Sequence, residues 1–163
     1  MATPTLFLIC ATTAIGCGLV SGVFLTFSDF LMRSLKQSKT SAGIEVMQII
    51  NVEVWKSVFM FLLWGFVALL AGLGTYAYVT LTGPAQPYIL TGSISYIIGV
   101  LGISYLFNIP MNDKLATLDF TSNQAAEYWR NTYLPRWTFW NYIRAIASGF
   151  TATCFLLASI QLA

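Results

Sequence analysis

The charges decide what this chain can fold into. Its 8 Lys and Arg and its 6 Asp and Glu fall in two windows of the 163 residues. The first holds Asp29, Arg33, Lys36, Lys39, Glu45, Glu53 and Lys56. The second holds Asp113, Lys114, Asp119, Glu127, Arg130, Arg136 and Arg144. Residues 1–28, 57–112 and 145–163 carry no charge. A charge at the centre of a bilayer costs at least about 2.5 kcal/mol, so the uncharged stretches are the spanning material. Composition agrees. Hydrophobic residues make up 57%, against roughly 45–50% in a soluble domain. Only 9% are charged, against roughly 25%, which is too few to cover a water-soluble surface.

The middle uncharged stretch is too long for one span of roughly twenty residues. It divides at Thr82-Gly83-Pro84-Ala85-Gln86-Pro87, where Gly and Pro mark a turn. Four spans result, near 5–27, 57–80, 88–109 and 144–162, in a single integral membrane domain covering 1–163. The expected fold is all-α: a four-helix transmembrane bundle with short amphipathic helices in the two charged loops. Both windows then lie on one side. Every Lys and Arg is there, so the positive-inside rule puts that side in the cytoplasm and both termini on the other.

Met1 to Thr5 contains no Lys or Arg. A cleaved signal peptide normally begins with positive charge, so this stretch reads as a retained first helix. Cys10, Cys17 and Cys154 lie inside spans and form no CxxC pair. That excludes a membrane thiol oxidase and leaves them as packing residues. The chain has no histidine. A histidine-ligated haem is therefore excluded, and a di-iron or copper centre is disfavoured. No metal site and no cofactor are expected. No nucleic-acid motif is present, and acids balance the basic residues locally.

Small residues four apart, at Gly18 and Gly22, Ala68 and Gly72, and Ala145 and Gly149, predict close helix packing within the bundle. A homodimer seam is the alternative. After the polar run Lys36 to Ser41, nothing breaks the pattern, which predicts one continuous helix from about 43 to 80. In the second window Pro110 should end or kink the third span. Asn112 should then cap a short helix, DKLATLDF. Thr121 and Gln124 resemble a capping box for a second, AAEYWRNTY. Pro135 suits the first turn of a helix leading into span four. Asn108 stands before the break with no evident partner.

Polar groups converge at the charged end. Trp137, Asn141 and Arg144 share a helix face by spacing, and Trp140 lies four residues before Arg144. Asn108, Asn112 and Asp113 end span three, Ser28, Asp29 and Arg33 end span one, and Gln48 and Asn51 precede span two. A polar mouth over an apolar interior is a binding-site pattern. Each piece also has a structural reading. Trp129, Tyr133, Trp137 and Trp140 suit an interfacial aromatic belt, and Arg144 could reach headgroups. Asn108 could bond free backbone carbonyls near the proline. The pattern favours Arg144 turned inward, toward Asp113 or Asp29.

The run NIPMNDKLA followed by W-x-x-x-Y-x-x-x-W-x-x-WN-x-x-R resembles the anthrone oxygenase-like family of small four-span membrane proteins. The matching residues are Asn108, Pro110, Asn112, Leu115, Trp129, Tyr133, Trp137, Trp140, Asn141 and Arg144. SGVFLTFSDFLMRSL and MQIIN add weaker matches. The resemblance implies a four-helix membrane fold. Some members, in aromatic polyketide pathways, are associated with oxidising an anthrone to an anthraquinone. The corresponding expectation is a metal- and flavin-independent oxygenase acting on a hydrophobic aromatic substrate at the cytoplasmic mouth. Asp29 or Asp113 would be the base, and Arg144, Asn112 or Asn141 would hold the enolate oxygen. Trp137 and Trp140 would stack on the rings, with Gln48, Asn51 and Asn108 also contacting substrate. The alternatives are a noncatalytic subunit or assembly factor of a larger membrane complex, and a carrier or lipid-binding protein. Expected partners are the bilayer, an aromatic small molecule, and a homo-oligomer or larger complex. Ion transport is disfavoured, since no ionisable group sits at mid-membrane.

Overall fold

The structure is a computed structural model, all-helical, and describes residues 3–163. Met1 and Ala2, the first part of the uncharged start, lie outside the described residues. Helix α1 is Thr3–Gln37, α2 is Thr40–Glu53, α3 is Val58–Val79, α4 is Gln86–Ala116 and α5 is Asn123–Ile160. All except α2 are long and apolar enough to cross a membrane.

Neighbouring helices run antiparallel, and polar groups inside the bundle give the register. Ser21 Oγ donates to the Ala145 carbonyl (2.8 Å), joining α1 to α5. Thr151 Oγ1 donates to Gly92 (2.9 Å) and Ser95 Oγ to Ala147 (3.2 Å), joining α4 to α5. Tyr96 donates to the Leu63 carbonyl (3.4 Å), joining α4 to α3. The termini and the tight α3–α4 turn therefore lie at one end, and both charged windows at the other. The turn needs Gly83, whose φ of +111° is open to glycine and strained for other residues. Gln86 ties it down by donating to the Ala77 carbonyl (3.0 Å).

Two cores stack along the bundle. The longer one, including Leu6, Cys17, Val20, Leu70, Val100 and Phe155, runs between the spans. The second caps the charged end with Met32, Ile44, Met47, Leu115, Trp129, Tyr133 and Trp137. There Tyr133 is stacked between Trp129 (5.2 Å) and Trp137 (5.9 Å). These three rings are a buried core rather than the interfacial belt that their composition suggested, because α2 folds back over them.

That fold-back corrects the continuous helix expected over 43–80. The chain makes a 3-10 turn at Val54–Lys56, and Ser57 is extended. Ser57 Oγ accepts from the Met60 N–H (3.3 Å) and so caps α3. The break frees α2 to bury Ile44 and Met47 in the second core. Gln48 is used here: it donates to the carbonyls of Leu115 (2.8 Å) and Leu118 (2.9 Å), closing the C-terminal end of α4.

Pro110 does not end the third span. Helix α4 runs through it, with wide π turns at Ile97–Gly102 and Ser104–Asn108 just before it. A π turn makes room for a proline ring that would meet the carbonyl four residues back. Asn112 therefore lies inside α4 and caps nothing. Likewise Pro135 sits within α5, in a π segment at Trp129–Trp137, so AAEYWRNTY is not a separate helix. The cap of α5 is Ser122, whose Oγ accepts from Ala125 N–H (3.1 Å). Thr121 instead donates its N–H (2.9 Å) and hydroxyl (2.8 Å) to Asp119, and these bonds hold that carboxyl below its usual range.

The small-residue steps divide. Ala145 and Gly149 face Ser21 on α1. Gly18, Gly22, Ala68 and Gly72 are exposed, and no neighbour would meet a Cβ at any of the three glycines. Close approaches come at other glycines: a Cβ at Gly99 would lie 2.4 Å from Ala147, and one at Gly16 would overlap Phe66.

Candidate ligand cavity

Where the two cores meet, α1, α2, α3, α4 and α5 all contribute to a cavity that is open at one side. Its walls are mostly apolar, with Phe24, Phe27, Phe59 and Leu63 among them. Trp55, Trp64 and Tyr105 frame the mouth, and each is exposed on its outer side. The polar lining is Asn51, Ser104, Asn108, Asn112, Asn141 and Arg144. Ser104, Asn108 and Asn112 recur every four residues on α4, and Trp137, Asn141 and Arg144 occupy one face of α5.

Arg144 turns inward and is 8% exposed. Its Nη1 donates to Ser104 Oγ (3.1 Å) and its Nη2 to Asn141 Oδ1. The guanidinium lies over the Phe24 ring at 4.3 Å and near the Trp137 ring at 5.6 Å. Nε is buried without a partner among the described residues. The expected carboxylate is missing from this environment. Asp29 is exposed and pairs with Arg33 (2.6 Å), and Asp113 is exposed; neither lines the cavity. The reason is helical: Asp29 and Arg33 are four apart and close on each other, while α4 continues past Pro110 and carries Asp113 round to an outer face.

Hydrogen-bond partners settle which way each amide points, because several can only donate or only accept. Trp137 Nε1 can only donate, and it meets Asn112 Oδ1 (2.8 Å), which also accepts from Tyr133 (2.7 Å). Both of those bonds fall on the Asn112 oxygen. Asn51 Nδ2 donates to the Tyr133 hydroxyl (3.3 Å), extending the chain to α2. Asn141 Nδ2 donates to the Phe24 carbonyl and to Ser28 Oγ (2.6 Å each), leaving its oxygen for Arg144. Asn108 Nδ2 donates to the Trp137 carbonyl (3.2 Å), a carbonyl on the facing helix rather than one near the proline. Asn108 Oδ1 is left buried with no partner among the described residues. Among the described residues, Arg144 Nε and Asn108 Oδ1 are thus a donor and an acceptor without partners, both closed off from solvent.

The sequence-derived set therefore divides. Asn51, Asn108, Asn112, Trp137, Asn141 and Arg144 line one cavity. Gln48 serves the end of α4. Trp140 lies outside and stacks on Phe107 at 3.8 Å. Asp29 and Asp113 are elsewhere. Ser104, Phe24, Phe59 and Tyr133 were missed as contributors. Ser104 could have been found, since it extends the four-residue spacing of Asn108 and Asn112 backwards. Tyr133 was marked by the W-x-x-x-Y-x-x-x-W run, whereas Phe24 and Phe59 are apolar residues with no sequence signal beyond burial.

Four apolar spanning helices around a mostly apolar cavity with a buried guanidinium define an integral membrane protein with an internal candidate site. The family model for anthrone oxygenase matches residues 55–154, more than half of the chain. The chain belongs to that family, and the match runs through the cavity residues from Trp55 to Arg144. It has no match among curated proteins and none among solved structures.

Proposed function

We propose that the chain is a membrane-embedded oxygenase that oxidises the activated methylene of a polycyclic aromatic ketone, in the manner its family suggests. The observation that carries this reading is the unpaired Arg144 guanidinium in an apolar cavity. A buried charge without a counter-ion is costly, and an enolate oxygen bound beside it supplies one. The Arg144 guanidinium lines the cavity and supplies the positive charge for that oxygen. The apolar walls exclude water and strengthen the interaction.

With no carboxylate in the cavity, the proton removal assigned to Asp29 or Asp113 takes another form. Arg144 favours the ionised tautomer, and the methylene proton leaves to solvent as the substrate binds. The carbanion passes one electron to dioxygen, and the resulting radicals combine into a peroxide anion. Protonation gives the hydroperoxide. Loss of the remaining C–H proton with O–O cleavage then releases water and leaves a carbonyl. The balance is CH2 + O2 → C=O + H2O. In this reading the charged end faces the cytoplasm, by its Lys and Arg.

The test is oxygen uptake and quinone absorbance with an anthrone, using protein in lipid nanodiscs against protein-free discs. Acceleration over spontaneous autoxidation is expected. Arg144→Met should lower kcat/KM about 100-fold, the scale of losing an oxyanion donor. A protein that binds the anthrone without raising oxygen uptake would be a carrier, and the oxygenase reading would fail.

A further inference from the structure

A second groove shares no residue with the ligand cavity. It lies where α1 and α5 pass from their uncharged to their charged stretches. Three cations line it, Arg33 and Lys36 from α1 and Arg130 from α5, and no acid does. Arg33 has its exposed contact with Asp29, a pair of a type worth only about 0.3–0.5 kcal/mol. Lys36 and Arg130 have no ion pair or hydrogen bond among the described residues. Three cations around one groove repel each other, and an anion between them removes that repulsion. Thr40 and Thr138 border the same groove and offer hydroxyl donors. Its floor is apolar, formed by the buried Trp129 and Leu134. An anion attached to a hydrocarbon tail matches a cationic rim over an apolar floor at this depth better than a free ion.

We propose that this groove binds the phosphate of an anionic phospholipid headgroup, held by Lys36, Arg130 and Arg33, with Thr40 and Thr138 donating to its oxygens. Such a site ties α1 to α5 through a bound lipid at the end of the bundle that carries the charges.

The test compares melting temperatures, read by tryptophan fluorescence, in nanodiscs of phosphatidylcholine alone and of phosphatidylcholine with phosphatidylglycerol in equal parts. Native mass spectrometry of the detergent-extracted protein counts retained phosphatidylglycerol. The groove variant is Lys36→Gln/Arg130→Gln. The charge-matched control is Lys56→Gln/Lys114→Gln, at the same end but outside the groove. Phosphatidylglycerol should raise the melting temperature of the native chain and the control by several degrees. The groove variant should melt normally in phosphatidylcholine, lose most of that rise and retain less lipid. If the double variant does not fold, Lys36→Gln alone should show a partial loss. Equal loss in variant and control, or no rise in the native chain, overturns the proposal. So does a full rise in phosphatidylcholine discs on adding inorganic phosphate, which would make the ligand a free anion.

Discussion

Arg144 keeps its charge inside an apolar wall while its guanidinium donates hydrogen bonds only to neutral groups, and this shapes what substitution does. Arg144→Met removes a desolvated charge but orphans Asn141 Oδ1 and Ser104 Oγ. These effects oppose each other, so stability should stay within about 1 kcal/mol while anionic ligands bind at least about tenfold more weakly. Arg144→Lys keeps the charge without the planar fork and should recover only part of the binding. Ligand titration beside chemical unfolding in micelles separates the two, and a large stability loss with unchanged binding would reassign Arg144 to the scaffold. Asn112 gives the reverse case. Asn112→Ala leaves both the Tyr133 hydroxyl and Trp137 Nε1 without their acceptor. At about 1–3 kcal/mol for an orphaned buried donor, the loss should exceed the ~1 kcal/mol of a missing cap. Asn112→Asp retains the acceptor and should recover part of the loss. A cost no larger than a cap's would contradict the network.

At the scale of elements, the π turns connect local chemistry to the site. All four, at Phe27–Leu31, Ile97–Gly102, Ser104–Asn108 and Trp129–Trp137, contribute residues to the cavity lining. Two accompany prolines that the sequence marks plainly. What the sequence could not mark is that each helix continues, because continuation depends on packing against a neighbour. Ser57 is the opposite: the chain breaks at a serine in an otherwise helical pattern, and the gain comes from α2 covering distant aromatic residues. Small residues show the same division. Gly99 lies against Ala147, so Gly99→Ala should overpack and cost about 1–3 kcal/mol. Gly18 has nothing beside it, so Gly18→Ala should be neutral or stabilise by up to about 1 kcal/mol. Unfolding of both variants in the same micelle checks this. A large loss at Gly18 would place that glycine in contact with a second chain.

For the molecule as a whole, the antiparallel register puts residue 38 and the Gly83 turn at opposite ends. The positive-inside rule then yields an orientation. An impermeant thiol reagent applied to intact cells should label Thr82→Cys and not Ser38→Cys. The native cysteines are buried and add little background. Labelling of Ser38→Cys alone would invert the molecule and turn the cavity end away from the cytoplasm.

That four stretches are long and apolar enough to span, that the two ends of the bundle's chain lie with the α3–α4 turn, and which polar residues gather at the opposite end were all legible in the sequence. The reason is that transfer energy is nearly additive along a chain, so uncharged runs and charged windows report it residue by residue. The tertiary structure alone decided the rest. Asn112 holds two aromatic donors from α5, Gln48 closes a helix it does not belong to, and Arg144 faces no carboxylate. Each of these depends on what a different helix presents at the same depth. A hydrogen bond has direction and a specific partner, and neither can be read from the spacing of residues on one helix.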